Sequence, residues 1–197
     1  ADEALYLAME YVNGGDLTHN FRPPINQKVL LSLIAQLCDA LDFAHGKGYI
    51  HRDIKPANIL FRENGSLALT DFGIAKAIHS NTQMTQTGTV IGTPSYMSPE
   101  QAQGLQLSGR SDLYSAAVIV YQYVTGELPY QADSSITVAI KHISDPIPTL
   151  PETLQPLQRF FDRALAKQAE ARFENGQTFY RELTSAVATL PVTTSRQ

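Results

Sequence analysis

Cysteine is nearly missing from this sequence. Cys38 stands alone among 197 residues, so neither a disulfide framework nor a multi-cysteine zinc site forms within the chain. Its setting, Leu37-Cys38-Asp39-Ala40-Leu41, predicts a buried filler and not a reactive thiol. Excess positive charge is missing too: fifteen Lys and Arg against nineteen Asp and Glu give a formal charge of -4. That leaves no overall basic field for a polyphosphate backbone, so nucleic acid is not expected as a partner. No run approaches the roughly 20 consecutive apolar residues of a bilayer span, and no basic segment followed by an apolar one opens the chain. The expectation is a soluble, cytoplasmic region, with any membrane anchor lying elsewhere in a longer parent. Internal repeats and low-complexity tracts are also absent. At 43% hydrophobic and 17% charged, the length suits one compact unit with a substantial core and is short for two domains.

What is present organises along the chain as a mainly α pattern with few strands. Leu5 to Val12 reads as a strand almost from the first residue, which suggests a cut through a larger protein. Asn13-Gly14-Gly15 signals a turn. Leu30, Ile34, Leu37, Leu41 and Ala44 then recur at spacings of four, three, four and three, one face of a helix stopped by Gly46 and Gly48. Ile59-Leu60-Phe61 and Leu67-Ala68-Leu69 flank Asn64-Gly65, a strong hairpin signal. If Asn64-Gly65 is a two-residue turn, Glu63 pairs with Ser66 and Asn58 falls opposite Asp71.

From about Ile74 to Met97 the chain is rich in Thr, Ser, Gly and Gln without periodicity, and an exposed loop is expected. Leu113 to Val124 is nearly all apolar or aromatic and predicts a helix buried on most sides. Further helical patterns cover Ser135 to Ile143, Leu154 to Leu165 and Thr178 to Val187. Residues 191–197 read as a polar tail or linker, leaving 1–190 as the structured unit.

Three short strings carry the chemistry. His51-Arg52-Asp53-Ile54-Lys55-Pro56-Ala57-Asn58 is followed, thirteen positions after Asn58, by Asp71-Phe72-Gly73, and then by Ser98-Pro99-Glu100. In this order and spacing they resemble the catalytic loop, the metal-binding loop and the closing marker of protein kinases. The resemblance runs from Leu5 to about Ala188. It implies a protein-kinase-like C-terminal lobe with its hinge, and the absence of the N-terminal lobe, which is the region's implied partner. Either acid alone would read as an ordinary solvated side chain; it is the set with Lys55 and Asn58 that points to phosphoryl transfer.

The resemblance implies that Asp53 accepts or orients the proton of the substrate hydroxyl, while Lys55 places positive charge on the transferring phosphate. It implies ATP as phosphate donor and Mg²⁺ held by Asn58 and Asp71, hard oxygen ligands that suit this cation. The His-Arg-Asp-x-Lys-x-x-Asn form resembles serine/threonine kinases, so protein Ser and Thr are the expected acceptors. Thr93, in Gly92-Thr93, would bridge Asp53 and Lys55; a plain capping role is the alternative. The family's hinge implies Met9 behind the adenine, backbone groups of Glu10 and Val12 on its edge, Asp16 near the ribose and Leu60 beneath the ring. The alternative for Met9 and Leu60 is simple core packing. Thr82, Thr85, Thr87 and Thr89 lie where activation phosphosites fall, with Thr85 and Thr87 preferred and Arg52 as the phosphate's partner.

Glu100 is expected to pair with Arg172, and Asp112 to anchor the catalytic loop through its backbone; both are scaffold. Val138-Ala139-Ile140-Lys141 spells the strand-lysine motif of kinases, but lies downstream of Glu100 in a helical pattern and is rejected as that lysine. Departures from the family are Ser98 for the usual Ala, Ala116 for a common Gly, and Gln168-Ala169 for Asp-Pro. The Ser-Pro-Glu-Gln run and the Thr-Gln-Thr loop look most like bacterial members. The competing functional reading is a pseudokinase or docking module that binds partners without catalysis. For the region alone, without a glycine-rich loop and strand lysine, negligible activity is expected.

Overall fold

A computed structural model describes residues 9–23, 26–72 and 94–190. Within them the chain is helical apart from one two-stranded antiparallel hairpin. The elements are α1 (Leu17–Asn20), α2 (Gln27–Gly46), β1 (Ile59–Phe61), β2 (Leu67–Leu69), α3 (Pro99–Ala102), α4 (Gly109–Thr125), α5 (Ser135–Ser144), α6 (Gln158–Ala164) and α7 (Gly176–Val187).

Helix α2 begins where the Asn26 side chain accepts from Lys28 N (2.8 Å). It ends one residue before Lys47, and Gly48 turns the chain away at φ +80°. By length and composition alone α2 is apolar enough to cross a membrane. Its apolar face, however, packs into the protein: Leu30, Leu33, Ile34, Leu37, Cys38, Leu41 and Ala44 are buried, against α7 and α4. Gln36, Asp39 and Asp42 line its other side, the pattern of a core helix. Cys38 is a buried free thiol, and desolvation pushes its pKa up, as a filler role requires.

Helix α4 is the pillar of the domain. Every residue from Ser111 to Tyr121 is buried, most of them apolar, with Ser111, Asp112 and Ser115 the buried polar exceptions. A Ser108/Ser111 capping box starts it, and Gly126 closes it at φ +88°.

Helix α7 meets α2 at close range. Asp42 of α2 accepts from Gly176 N (2.6 Å) and Gln177 N (2.9 Å), placing a carboxylate at the N-terminus of α7, where the dipole favours it. A Cβ on Gly176 would come within 2.7 Å of the Cys38 carbonyl oxygen and 2.9 Å of the Cys38 Cβ. Gly176→Ala is therefore expected to push α7 off α2 and cost about 1–3 kcal/mol, read as a lower denaturant midpoint with an unchanged slope.

Several expectations are corrected. Residues 9 to 12 are not strand; Leu5 to Ala8 lie outside the described residues. Pairing begins just after, where Gly14 N donates to Phe61 O (2.9 Å), Phe61 N donates to Gly15 O (2.9 Å), and Asp16 bridges Leu60. The hairpin is shifted by one residue. Ile59 pairs with Leu69 and Phe61 with Leu67, Arg62 N donates to Ser66 O, and Gly65 adopts φ +78°. Glu63-Asn64-Gly65 is thus a three-residue loop with a bulged glycine, not a two-residue turn. Asn58 consequently bonds across to Thr70, whose N–H donates to the Asn58 carbonyl (3.1 Å), and not to Asp71.

The stretch 154–165 is not one helix. Pro156, which has no N–H, keeps Glu152–Leu157 as 3₁₀ before α6 begins. Short α1 has no apolar period to announce it; the Asp16 side chain caps it through His19 N (2.9 Å). The 138–141 string lies inside α5, where Lys141 pairs with Asp145 four residues on (3.1 Å), so it is no strand lysine. Residues 73–93 and 191–197, with the expected loop and tail, lie outside the described residues, and Pro94–Tyr96 is a 3₁₀ turn.

Candidate active site

The loop from His51 to Asn58 hangs from one buried carboxylate. Asp112, in the first turn of α4, accepts from His51 N (2.8 Å) and Arg52 N (2.9 Å), and His45 Nε2 lies 2.8 Å from it. The loop thereby fills two backbone donors that would otherwise be buried unmet. Arg52 sits at φ +69°, a left-handed conformation costing roughly 1–3 kcal/mol for such a residue. Its carbonyl accepts from Gln101 Nε2 at 2.7 Å.

His51 joins this loop to the next. Its Nδ1 accepts from Asp53 N (3.3 Å), which leaves the proton on Nε2 to donate to Thr70 O (2.9 Å). Its ring packs against Phe72, centroids 4.5 Å apart and planes tilted by 42°. Burial lowers the pKa of this imidazole, while Asp112, Asp53 and Asp71 all pull it upward. Asp53 and Asp71 thus both act on this one imidazole.

Within the loop three expected residues form a bonded unit. Lys55 Nζ donates to Asp53 Oδ2 (2.8 Å), and Asn58 Nδ2 donates to both Asp53 O (2.8 Å) and Asp53 Oδ2 (3.1 Å). The Asp53 and Lys55 side chains are 26% and 28% exposed, open enough to meet a substrate. Both amide hydrogens of Asn58 point at Asp53, so its carboxamide oxygen is the end available to a cation. Asp71, two residues beyond the end of β2, is exposed and takes φ +57°. No three His, Cys, Asp or Glu side chains converge among the described residues. An Asn oxygen and a carboxylate fit a magnesium ion that takes its remaining ligands from phosphate and water.

The hinge candidates are less gathered. Met9 is 65% exposed, while Leu60 is half-buried. Glu10 pairs two-pronged with Arg62 (2.6 and 2.8 Å), whose guanidinium holds the carboxyl below its ordinary pKa. Val12 is half-buried. Asp16 caps α1, and its backbone bridges Leu60, so these two do lie together. Thr93, Gly92 and the candidate phosphothreonines Thr82, Thr85, Thr87 and Thr89 lie outside the described residues.

The scaffold pairs form as expected. Arg172 donates from Nη1 to Glu100 Oε1 (2.7 Å) and from Nη2 to Glu100 Oε2 (2.8 Å). Ser98, the departure from the usual Ala, is the buried N-cap of α3 in a capping box with Gln101. Sequence reasoning missed His45 and Gln101. A Ser-x-x-Gln capping box was legible for Gln101, but the reach of either side chain to the loop is tertiary.

A family model described as "Protein kinase domain" matches residues 1–182. The chain is 38% identical over 190 residues to the probable serine/threonine-protein kinase PknB of Lactococcus lactis, covering 93% of this chain and 30% of that protein. It is 40% identical over 185 residues to serine/threonine-protein kinase PknB of Mycobacterium leprae, covering 90% and 30%. Against serine/threonine-protein kinase PknA of Mycobacterium tuberculosis it is 41% identical over 177 residues, covering 88% and 41%. It spans less than half the length of each of these relatives.

Proposed function

Because this chain belongs to the protein kinase domain family, we propose that in its complete protein it transfers the γ-phosphoryl of ATP to Ser and Thr hydroxyls of protein substrates. The observation that carries this reading is the hydrogen-bonded unit of Asp53, Lys55 and Asn58 on a loop fixed by Asp112.

The acceptor hydroxyl approaches the Asp53 carboxylate, which takes its proton as the new oxygen–phosphorus bond forms. The bond from the γ-phosphorus to the bridging oxygen breaks, and ADP leaves with that electron pair. Lys55, held beside Asp53 at 2.8 Å, keeps a cation where phosphoryl charge spreads. Asn58 and Asp71 are the residues that would hold magnesium, which when bound neutralises phosphate charge. Backbone groups of Glu10 and Val12, with Met9, Asp16 and Leu60, are the residues that would take the nucleoside. Thr93 would bridge Asp53 and Lys55, and Arg52 would receive a phosphate on Thr85 or Thr87. The nucleotide pool this reaction draws on is cytoplasmic, which is where the reading puts this region.

The test is to incubate the complete protein with γ-labelled ATP, magnesium and protein substrates, and to hydrolyse the labelled product. Label in phosphoserine and phosphothreonine is expected. Label in phosphotyrosine alone would overturn the acceptor class. Binding of nucleotide or partner with no transfer would favour the docking reading.

A further inference from the structure

Two contacts on one side chain connect the Ser98-Pro99-Glu100 turn to the peptide next to Asp53. Gln101 Oε1 accepts from Ser98 N (3.0 Å), completing the capping box, and Gln101 Nε2 donates to Arg52 O (2.7 Å). The first contact fixes which way the amide faces, so its N–H end has one direction left. That direction is the carbonyl of the Arg52–Asp53 peptide.

This peptide needs holding. Rotating the plane between residues 52 and 53 changes ψ of Arg52 and φ of Asp53, and would turn Asp53 away from Lys55 and Asn58. Asp112 grips the N–H of Arg52, and His51 Nδ1 grips the N–H of Asp53. Among the described residues Gln101 alone is hydrogen-bonded to the carbonyl between them. The neighbouring Glu100 is itself locked by Arg172, so Gln101 bears on the loop from a rigid base.

We infer that Gln101 is a positioning residue for phosphoryl transfer, setting the orientation of Asp53 through the Arg52 carbonyl. The inference rests on the kinase reading. The sequence determinant is small: at this position a Glu completes the capping box equally well, but only an amide also donates to Arg52.

That difference supplies the test. Gln101→Glu keeps the acceptor for Ser98 N and sets an anionic oxygen against a carbonyl. In the complete protein the thermal midpoint and the KM for ATP are expected to stay at wild-type values, while kcat falls on the order of tenfold to a hundredfold. Gln101→Met, neutral and of similar length, is expected to lower kcat less and serves if the Glu variant does not fold. Ser98→Ala weakens the cap but keeps the Arg52 contact, and should leave kcat unchanged. Equal kcat in Gln101→Glu and wild type, or an equal fall in Ser98→Ala, overturns the inference. Amide hydrogen exchange at residues 51–53 reads the same positioning without turnover. Faster exchange in Gln101→Glu supports it and unchanged exchange sinks it, even if the wild type transfers no phosphate and the kinase reading falls.

Discussion

In the complete protein, Asp53→Asn is expected to lower kcat for phosphate transfer about a thousandfold, the scale of a lost general base. The substitution is nearly isosteric. A carboxamide oxygen still accepts from Lys55 Nζ and Asn58 Nδ2, which now meet Asp53 at 2.8 and 3.1 Å, so the loop's fold and thermal midpoint should persist. What goes is the charge. The amide takes no proton from the acceptor hydroxyl, and Lys55 loses its anionic partner beside the phosphate. The KM for ATP should change little, because none of the proposed nucleoside contacts runs through Asp53. Initial rates over a range of ATP concentrations separate the two parameters. Equal kcat would leave Asp53 as scaffold and the region as a binding module.

How much of this was legible in the sequence depends on the range of the interaction that decides each feature. Helices α2, α4, α5 and α7 were readable because their buried faces repeat every three or four residues or, in α4, never break. The catalytic unit was readable because Asp53, Lys55 and Asn58 lie within six residues of one another and bond locally. The hairpin register was missed by one. Asn64-Gly65 supplies a left-handed glycine to a two-residue turn and to a bulged three-residue loop alike, and the pairing of Arg62 with Ser66 decides between them. The extended reading of residues 9 to 12 followed local β propensity. Strand character needs a paired neighbour, and among the described residues backbone pairing of this segment begins at Gly14. His45 and Gln101 gave no local sign of their reach, since their partners Asp112 and Arg52 lie 67 and 49 residues away.

Arg172→Ala is expected to be among the most destabilising single changes in the domain, at about 3–5 kcal/mol, because it strands a buried carboxylate. Arg172 is fully enclosed: besides Glu100 it donates to the carbonyls of Ala166, Lys167 and Arg110, and it lies over the Tyr114 ring at 4.7 Å. The truncation therefore removes a donor from three carbonyls and two from Glu100, whose carboxylate keeps, among the described residues, Ser111 Oγ (2.7 Å) and its own backbone N–H. At roughly 2–4 °C per kcal/mol, the thermal midpoint should drop by about 10 °C.

The acid response identifies the cause. Burial pushes the Glu100 pKa up, but Arg172 and Ser111 outweigh it and hold it below the ordinary 4.5. A lowered folded pKa gives stability that is fully present above the ordinary value and is lost as pH falls through the folded one. Without the guanidinium, burial dominates and the carboxyl rises above its ordinary value, so the variant regains stability when Glu100 takes a proton. The gap between wild type and Arg172→Ala should thus narrow as pH falls below neutrality toward 4. Glu100→Gln on the Arg172→Ala background should recover part of the loss at neutral pH and flatten that dependence. A gap that holds constant across this range would assign the cost to lost packing on Tyr114 and the freed carbonyls, and not to the stranded charge.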